Sequence, residues 1–453
     1  MLRDHLLRRD RQEDLCFAFW RPSHGRSRTT ALIETVMLPE LGDRNVHGNA
    51  SFEPQYFQRV LFEANRRGAG LALLHSHPMG LGWQGMSPDD VRAELNNAPA
   101  VYGATKLPFV GLTLARDGAW SARFWERTAP RTYDRHWCGT ARVTGETASI
   151  TYMDALAPPP PAMPAQLRTV SAWGDECHAN LVRRRVLVVG AGSVGGFIAE
   201  SLARSGFEDI MLMDFDIIKL HNLDRLCYAT AEDIGQLKVD VLARRLRAIA
   251  TAADFRVEAL PLAVFEEEGF RAALDSDAIF SCVDRPWGRY ALNFIAYAHL
   301  IPVYDGGIAI RTNRHRKLVA ADWRAHTATP GRACLQCLGQ YDAGLVQTER
   351  EGRLDDPKYI ESLASSHPLK MRENVFAFSM NCAGLQSLQM LAHTLAPLNQ
   401  PNPGAQRYHF VGGYMDKADF PECDIACDFP SFIAKGDHAG VMLTGPRPKG
   451  EMM

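Results

Sequence analysis

The stretch Arg-Arg-Val-Leu-Val-Val-Gly-Ala-Gly-Ser-Val-Gly-Gly, residues 184–196, decides the fold of the chain. Residues 186–189 are uncharged and mostly β-branched, which is typical of a strand buried on both faces. Three glycines follow in G-x-G-x-x-G spacing: Gly190, Gly192 and Gly195. Glycine permits a tight turn and lets the backbone approach a phosphate group. The stretch therefore predicts a strand, a phosphate-binding turn and the start of a helix.

The residues after the turn continue this pattern. Apolar spacing predicts a helix over 197–205, whose first N–H groups would face the phosphate. A second strand is predicted over 210–213 and leads into Asp214, the usual position of an acid that holds a ribose hydroxyl. A lone G-x-G-x-x-G would suit a nicotinamide or flavin enzyme equally well, so the residues further along must decide the ligand class.

Residues 214–238 contain two acids, an amide, a guanidinium and an ammonium group: Asp214, Asp216, Asn222, Arg225 and Lys238. A hydride-transfer site has no use for this set beside the ribose acid, whereas a triphosphate site does. Arg225 and Lys238 can neutralise the charge of the β- and γ-phosphates, and an acid can hold magnesium. The sequence therefore predicts a site for ATP and magnesium.

The succession of D-x-D, N-L-x-R and G-x-x-K resembles the ThiF/MoeB and ubiquitin-activating enzyme superfamily, over residues 165–395. These enzymes adenylate the C-terminal glycine carboxylate of ubiquitin-like proteins. The resemblance implies that the three glycines cradle phosphate and that Asp214 binds ribose. It also implies that Asn222, Arg225 and Lys238 contact the triphosphate, and that Asp284, in Ser281-Cys-Val-Asp284, holds magnesium. The family usually has Gln where this chain has Leu226.

Two further implications of the resemblance concern a second subunit. Arg168 lies where the superfamily carries an arginine that reaches into the neighbouring subunit's ATP site. A guanidinium there would stabilise the departure of pyrophosphate. The alternative interpretation is an ordinary solvated arginine on a helix. The resemblance also implies a homodimer.

Helical and strand patterns alternate across this half of the chain. The predicted helices cover 166–182, 230–250 and 265–274, and the predicted strands cover 255–260 and 278–283. Such alternation implies a Rossmann-like α/β fold with a parallel, doubly wound sheet. The ligand of such a sheet lies beyond the carboxyl ends of its strands, where Gly190, Asp214 and Asp284 all fall.

Length and composition bound the remaining possibilities. A chain of 453 residues predicts two or three domains. A formal net charge of −2 argues against a nucleic-acid or membrane partner. The first residues lack a signal-peptide pattern and no run of 18 apolar residues occurs, which predicts a cytoplasmic chain with cysteine thiols or metal ligands. The proline-rich residues 156–165 form a predicted linker between domains at 1–155 and 166–453.

One stretch of the first domain carries chemistry. His75-Ser-His77-Pro78 ends a short apolar strand, residues 71–74, and Ser87-Pro-Asp-Asp90 follows. Residues two apart on a strand point to the same side, so both histidines can face one ion. Asp90 adds an oxygen ligand and leaves a fourth position for water, which describes an open, catalytic zinc site. Such a zinc ion lowers the pKa of its water toward ~7.

This constellation resembles the JAB/JAMM metalloprotease family, which has a cytidine-deaminase-like α/β fold and removes or trims ubiquitin-like proteins. The resemblance implies that His75, His77 and Asp90 are zinc ligands and that Ser87 supplies a supporting hydroxyl. The spacing from His77 to Asp90 is two residues longer than in the family, so Asp89 is an alternative ligand that S-x-x-D spacing disfavours.

A peptidase of this kind also needs a carboxylate as general base beside the water. Glu13, which precedes an apolar strand as the family's glutamate does, is the predicted base. Glu34, in Leu-Ile-Glu-Thr-Val, is its rival.

Four cysteines suggest a second zinc ion. Cys334 and Cys337 form a C-x-x-C pair, and many members of the ubiquitin-activating superfamily combine such a pair with a second one near the C-terminus. The second pair here is Cys423 and Cys427, one residue further apart. A structural zinc ion on the four thiolates would staple the C-terminal segment to the core. The alternative is four free or buried cysteines.

The sequence offers no clear acyl-accepting thiol. True ubiquitin-activating enzymes use their own cysteine after C-x-x-C, but residues 338–381 contain none. Cys382 is predicted to be a core residue, and Cys227 and Cys282 are weaker candidates. Adenylation is therefore predicted and a thioester on this chain is not. The acyl adenylate would pass directly to a thiol on a partner protein such as a conjugating enzyme, or another group would attack it.

The two resemblances together imply a two-headed enzyme that adenylates a ubiquitin-like protein and cleaves a peptide or isopeptide bond at its terminus. The fusion would raise effective concentration through the short linker. JAB–ThiF fusions resemble proteins of bacterial conjugation operons, and the resemblance links such operons to phage defence. Two alternatives stay open: activation and trimming of a sulfur-carrier protein, and a first domain that only docks the ubiquitin-like protein.

Overall fold

A computed structural model describes residues 2–362, 373–400, 402–418 and 422–444. The first part of the chain contains three helices and ten strands. The helices are α1 (Leu2–Leu6), α2 (Pro54–Arg67) and α3 (Pro88–Thr105). The strands are β1 (Leu15–His24), β2 (Thr29–Met37), β3 (Arg44–His47), β4 (Asn49–Phe52), β5 (Gly70–His77), β6 (Phe109–Ala115), β7 (Trp120–Ala129), β8 (Thr132–Trp137), β9 (Thr140–Thr144) and β10 (Ala148–Tyr152).

The main sheet of this part has the order β2-β1-β5-β6-β7-β8. Strand β5 is buried along nearly its whole length and runs parallel to β6 and antiparallel to β1. Because Leu15 pairs with His75, the amino end of β1 lies beside the carboxyl end of β5. A core that includes Tyr56 of α2 and Val101 of α3 covers one face of the sheet. The structure therefore brings the start of β1 to the histidines.

The second part contains the remaining helices and strands. The helices are α4 (Leu167–Trp173), α5 (Asp175–Val182), α6 (Ser193–Arg204), α7 (Lys238–Ile249), α8 (Glu267–Ala273), α9 (Pro286–Ala298), α10 (Ala343–Arg350), α11 (Pro357–Ser362) and α12 (Phe376–Leu395). The strands are β11 (Arg185–Val189), β12 (Asp209–Met213), β13 (Arg256–Leu260), β14 (Ala278–Ser281), β15 (Val303–Thr312), β16 (Leu318–Ala328), β17 (Gln406–His409) and β18 (Tyr414–Lys417).

These strands form one sheet in the order β13-β12-β11-β14-β15-β16-β17-β18. Strands β11 to β15 are parallel, and β16 to β18 extend the sheet in antiparallel fashion. The order reverses direction between β11 and β14, which is where doubly wound sheets bind their ligands. Separate hydrophobic cores include Leu187 and Val188, neighbours that point to opposite faces of the sheet. The predicted Rossmann-like arrangement is confirmed, whereas a JAB/JAMM fold for residues 1–155 stays a prediction.

Several predicted boundaries differ from the structure. The helix predicted over 166–182 is divided into α4 and α5 at Gly174, whose φ of 84° is incompatible with a right-handed helix. The helix predicted over 230–250 begins only at Lys238, after Gly235 with a φ of 89°. The strand predicted over 278–283 ends at Ser281, so Asp284 lies in the following loop. Among the described residues, no helix is both long and apolar enough to cross a membrane.

The two parts of the chain meet along a seam, which we define as the contacts of the β1–β2 and β9–β10 hairpins with the second part. Arg28 and Arg142 contact the Asp277 carboxylate at 2.7 and 3.3 Å, and Ser23 lies 2.8 Å from the His299 ring. Asp277 also accepts a hydrogen bond from the Arg185 backbone, at the start of β11. The seam therefore lies at the edge of the second sheet where its parallel strands begin, which we call the amino edge.

We expect Asp277→Ala to lower the free energy of unfolding by about 3 kcal/mol, because it leaves two partly buried guanidiniums without their carboxylate. Chemical denaturation would measure the change. Asp254→Ala is the matched control, since Asp254 is 76% exposed and pairs with an exposed Arg256. Its effect should stay within about 0.5 kcal/mol. Equal effects of the two substitutions would contradict a stabilising role for the seam.

Candidate nucleotide site and candidate metal centres

The turn after β11 requires glycine at two positions. Gly190 has a φ of 97°, and a Cβ atom there would lie 2.5 Å from the Cys282 carbonyl oxygen. A Cβ atom at Gly195 would lie 1.9 Å from the Gly190 carbonyl oxygen. Gly192 precedes α6 and faces open space, since a Cβ atom there would have no contact within 4 Å among the described residues beyond its chain neighbours. The turn thus leaves room in front of the start of α6, where a phosphate group would meet helix N–H groups.

Asp214 is tied directly to this turn. Its carboxylate accepts 2.8 Å hydrogen bonds from the backbone N–H groups of Ala191 and Asp216. Burial raises the pKa of Asp214, while the nearby ammonium of Lys238 opposes the rise. The acid therefore stands beside the glycine turn at the end of β12, as expected for a residue that faces a ribose.

Lys238 begins α7 and is held between two acids. Its Nζ atom lies 2.6 Å from Asp216 and 3.9 Å from Asp214. Its backbone N–H also donates to the Asp216 carbonyl, which fixes the start of the helix against the loop after β12. An incoming triphosphate would compete with Asp216 for the ammonium group, so Lys238 is positioned to exchange one anionic partner for another.

The loop between Asp216 and Lys238 holds the other two predicted phosphate contacts. Asn222 is buried, and its side-chain oxygen accepts a 3.0 Å hydrogen bond from the Lys219 backbone. The Arg225 guanidinium donates to the His221 carbonyl at 2.5 Å and to Asp224 at 2.9 Å. In this structure both side chains therefore stabilise their own turn rather than the glycine turn.

Asp284 and Arg168 lie at opposite edges of the sheet. Asp284 is exposed and lies in the loop after β14. In the same loop, the backbone N–H of Cys282 donates a hydrogen bond to the Val189 carbonyl at the glycine turn. Gln166, just before α4, contacts Thr251 beyond the end of α7, which places Arg168 toward the amino edge. Arg168 is exposed and lies away from its own chain's glycine turn, so the predicted role would need a second copy, and a solvated arginine stays the alternative.

A buried ionic cluster beside the switch point was not predicted from the sequence. Asp305 is fully buried in β15 and contacts Arg289 at 3.1 Å and Arg324 at 2.6 Å. Ser281 donates a 2.6 Å hydrogen bond to the same carboxylate. Burial works to raise the pKa of Asp305, but the two guanidiniums outweigh it and hold the pKa below its usual range. The sequence does show a charged residue, Asp305, inside the apolar stretch 303–310. Its partners come from three separate elements, so local spacing could not indicate them.

None of the three thiols considered as acyl acceptors is activated. Burial raises the pKa of Cys382 to about 12 and that of Cys227 to about 11. Burial also raises the pKa of Cys282 well above its ordinary value. Because a nucleophilic cysteine needs exposure and a lowered pKa, these residues are poor acceptors. Cys382 is a core residue, as its apolar surroundings in the sequence predicted.

The structure brings His75, His77 and Asp90 together, with one possible ligand atom from each within 4.8 Å of the others. Nε2 of His75 lies 3.6 Å from one Asp90 oxygen, and Nε2 of His77 lies 3.5 Å from the other. Burial, reinforced by Arg123, lowers the pKa of His75 to about 3, which keeps its ring neutral and able to donate a lone pair. Two imidazoles and one carboxylate suit zinc with an open position.

The S-x-x-D spacing has a clear structural cause. Ser87 is the N-cap of α3 and accepts a 3.1 Å hydrogen bond from the Asp90 backbone, while the Asp90 carboxylate accepts one of 2.8 Å from the Ser87 backbone. This capping box orients Asp90 in the first turn of the helix, toward the histidines. Asp89 is 71% exposed and pairs with Arg92 instead. The geometry therefore favours Asp90 over Asp89, and Ser87 acts as a positioning residue.

The two candidate bases lie in different places. Asp14 pairs with Ser76 through its backbone, so Glu13 lies opposite His77 at the edge of the metal cluster. Burial raises the pKa of Glu13, with partial opposition from His77. Glu34 pairs with Arg21 at 2.8 Å and with Lys435, near the other end of β1. Only Glu13 is placed to act on a molecule at the histidines.

Cys334, Cys337, Cys423 and Cys427 form a second cluster whose sulfur atoms all lie within 4.8 Å of one another. The sulfur of Cys423 accepts a hydrogen bond from the Cys334 backbone at 3.2 Å, and that of Cys334 accepts one from the Cys337 backbone at 3.4 Å. Backbone N–H groups aimed at sulfur suit thiolates, and four thiolates suit a closed zinc site. The cluster can therefore hold structural zinc between the end of β16 and the C-terminal segment.

We expect Cys337→Ser to remove about one zinc ion per chain and to lower the melting temperature by about 5 °C or more. Elemental analysis and thermal melting of the purified chain would measure both. Cys177→Ser is the matched control, because Cys177 is exposed on α5 outside the cluster. Unchanged zinc content in Cys337→Ser would contradict the assignment.

Comparison with known proteins identifies the second part of the chain. A model of the ThiF family matches residues 164–414. tRNA threonylcarbamoyladenosine dehydratase 2 of Saccharomyces cerevisiae is 34% identical over 156 residues, 34% of each chain. The SAMP-activating enzyme E1 of Haloferax volcanii is 27% identical over 165 residues, 36% of this chain and 57% of that one. Molybdopterin-synthase adenylyltransferase of Escherichia coli is 28% identical over 158 residues, 34% of this chain and 59% of that one.

The chain thus matches between 34% and 59% of the length of these three relatives. Among solved structures, E. coli MccB with AMPCPP and MccA is 17% identical, with a TM-score of 0.44 over 59% of this chain and 74% of that one. The family match begins at residue 164, so the assignments in residues 1–155 stay predictions. Because the match spans more than half of the 453 residues, this chain belongs to the ThiF family.

Proposed function

We propose that residues 166–453 form an ATP-dependent adenylyltransferase that activates the C-terminal carboxylate of a ubiquitin-like or sulfur-carrier protein. We further propose that residues 1–155 form a zinc-dependent peptidase of the JAB/JAMM type that acts on the same protein. Relatives of this chain include enzymes named for each kind of carrier: the SAMP-activating enzyme E1, ubiquitin-like modifier-activating enzyme 5 and the sulfur carrier protein adenylyltransferase of Thermus thermophilus.

The observation that carries the first proposal is the convergence of four groups at the carboxyl edge of the sheet. The glycine turn, Asp214 and Lys238 are joined by contacts of 2.8 and 3.9 Å. Asp284 follows β14, which lies next to β11 where the strand order reverses. A phosphate turn, an acid suited to ribose, a cation and a second acid that could hold magnesium, all at one edge of the sheet, suit ATP better than a dinucleotide.

In the proposed reaction a carboxylate oxygen of the carrier attacks the α-phosphorus of ATP. The bond from that phosphorus to the bridging oxygen breaks, and pyrophosphate leaves with its electron pair. Lys238 releases Asp216 and neutralises the leaving phosphates, aided by Arg225 from the adjacent turn. Magnesium, which Asp284 would hold through a carboxylate oxygen, supplies further neutralisation of phosphate charge when bound. Arg168 of a second copy would add its guanidinium in a homodimer.

The acyl adenylate then passes to another molecule. Cys227, Cys282 and Cys382 all have raised pKa values, so the thiol that receives the acyl group is proposed to belong to a partner protein. A conjugating enzyme and a sulfur donor are the two kinds of partner that this chemistry fits. The raised pKa values of the three thiols favour both over a thioester on any of these three cysteines.

The proposed peptidase rests on the position of Glu13 beside the two histidines and Asp90. Glu13 takes a proton from the attacking water and delivers it to the leaving amine as the C–N bond breaks. Burial raises the pKa of Glu13, which is the direction that favours a carboxyl group able to release as well as accept a proton. Zinc on His75, His77 and Asp90 would polarise the carbonyl and lower the pKa of the water. A docking module without hydrolysis is the alternative.

ATP–pyrophosphate exchange tests the first proposal. We expect the full chain with magnesium and a ubiquitin-like protein of the same organism that ends in a glycine carboxylate to exchange labelled pyrophosphate into ATP. A carrier whose terminal carboxylate is amidated is the matched control, because it keeps the protein surface and removes only the nucleophile. Equal exchange with both carriers, or with neither, would contradict the proposal.

A further inference from the structure

The glycine turn is held from its buried side by a tyrosine that the sequence motifs did not single out. The Tyr228 hydroxyl donates a hydrogen bond to the Ala191 carbonyl, in the middle of the turn. The N–H of the same alanine donates to the Asp214 carboxylate at 2.8 Å. Ala191 is 1% exposed, so its two backbone groups depend on these side chains rather than on solvent.

Tyr228 has little freedom to move away from the turn. It is buried and belongs to the core that includes Ile198 of α6. Its ring lies against Gly196, where a Cβ atom would come within 2.8 Å of a ring carbon. Burial raises the pKa of Tyr228, and the nearby Asp214 carboxylate adds to the rise, so the hydroxyl stays protonated and able to donate.

The direction of the Ala191 carbonyl fixes the direction of the next N–H group. The peptide bond between Ala191 and Gly192 is trans, so its C=O and N–H point to opposite sides. Because the carbonyl points to the buried Tyr228 hydroxyl, the Gly192 N–H points out of the core. No backbone carbonyl of the described residues accepts a hydrogen bond from it. The turn therefore presents a donor on the side where a phosphate would meet the start of α6.

Without the Tyr228 hydroxyl, this peptide group would gain from turning over. A buried carbonyl that lacks a partner costs free energy, and rotation of the peptide would bring it to solvent. Gly192, with no side chain, permits such a rotation. The turned peptide would place a carbonyl oxygen, which carries partial negative charge, where the phosphates bind, and would direct the N–H inward. The hydroxyl thus selects the orientation that an anion can use before any nucleotide arrives.

We propose that Tyr228 is a positioning residue for ATP. Its hydroxyl holds the Ala191 carbonyl inward, so that the Gly192 N–H faces the phosphates, and it acts from behind the turn without touching the nucleotide. The inference rests on the proposed function in one respect, that the glycine turn binds ATP. It adds to the phosphate site a residue that lies outside the G-x-G-x-x-G motif.

Binding of a non-hydrolysable ATP analogue with magnesium to the full chain tests the inference. Tyr228→Phe removes one oxygen atom and keeps the ring against Gly196. We expect the Kd measured by titration calorimetry to rise about 10-fold, because the turn no longer presents its charge-assisted hydrogen bond to phosphate. A Kd within about twofold of the wild-type value would overturn the inference. If the wild-type chain itself does not bind the analogue, the proposed function is rejected, and this inference with it.

Tyr304→Phe is the matched control. Tyr304 is fully buried in the same core, but its hydroxyl lies 2.9 Å from the His393 ring instead of at the turn. The control also loses a buried hydroxyl, so its melting temperature should fall about as much as that of Tyr228→Phe. Its Kd for the analogue should stay within about twofold of the wild-type value. Equal weakening of binding in the two variants would show a general effect of lost stability and would overturn the positioning role.

Two further measurements separate positioning from folding. In pyrophosphate exchange, the KM of Tyr228→Phe for ATP should rise by about the same factor, while the rate at saturating ATP stays within about threefold of the wild-type rate. Amide hydrogen exchange of residues 190–196 in the unliganded chain should be faster in Tyr228→Phe, while exchange in β11 stays the same. An unchanged KM, or exchange in the turn that matches the wild-type chain, would contradict the proposal.

Discussion

Asp284→Asn is expected to reduce ATP–pyrophosphate exchange by about 10²–10³-fold, because a neutral amide replaces the carboxylate proposed to hold magnesium at the phosphates. Asp284 is exposed at the carboxyl edge, in the loop between β14 and α9, so its substitution removes little packing. The melting temperature should therefore stay within about 2 °C of the wild-type value. Exchange of labelled pyrophosphate, measured over a range of magnesium concentrations, would show the loss.

Asp254→Asn provides the matched control for this prediction. Asp254 is also exposed, but it precedes β13 at the amino edge and pairs with Arg256. The control should exchange at the wild-type rate within about twofold. If Asp284→Asn retained more than a third of the wild-type exchange at saturating magnesium, Asp284 would not be the metal-binding acid.

Glu13→Gln is expected to reduce cleavage of a carrier protein with residues added after its terminal glycine by about 10²–10⁴-fold while zinc content stays the same, because the amide cannot accept a proton from water. Electrophoresis or mass spectrometry of the products measures cleavage, and elemental analysis measures zinc. The pairing of Asp14 with Ser76 places Glu13 opposite His77, at the edge of the cluster. A loss of zinc together with activity would instead indicate a structural effect on the site.

Glu34→Gln separates the two candidate bases. Glu34 lies near the seam and pairs with Arg21 and Lys435, so this variant should lose stability while cleavage persists within about threefold at a temperature well below its melting point. The reverse outcome, with Glu34→Gln inactive and Glu13→Gln active, would move the base to Glu34. Equal cleavage by both variants would mean that neither is the base.

Much of the structure of the second part could be predicted from local patterns in the sequence. Residues 186–189 are apolar and β-branched, and the structure makes them the core of β11. Gly190 and Gly195 are needed because Cβ atoms at these positions would collide with backbone carbonyl oxygens. Such requirements are imposed by neighbours close in sequence or by a fixed turn, so spacing alone reveals them.

Some boundaries were less predictable. The apolar pattern over 230–250 continued through residues that the structure leaves outside α7, because Gly235 adopts a positive φ and the loop bonds to Ile218 instead. The S-x-x-D spacing already favoured Asp90 over Asp89, and the structure supplies the reason, a capping box of Ser87 and Asp90 at the start of α3. The helix start decides which of two adjacent acids turns toward the histidines.

The sequence by itself determined which functional groups each half offers: a glycine turn with an acid and a lysine, and two histidines on one strand with an acid on the next helix. These motifs are short, and strand or helix geometry fixes their members relative to one another. Only the tertiary structure decided that Asp305 gathers Arg289 and Arg324, and that Glu13 rather than Glu34 faces the histidines. It also decided how the two parts of the chain meet, because contacts between residues hundreds of positions apart, such as Ser23 with His299, set the seam.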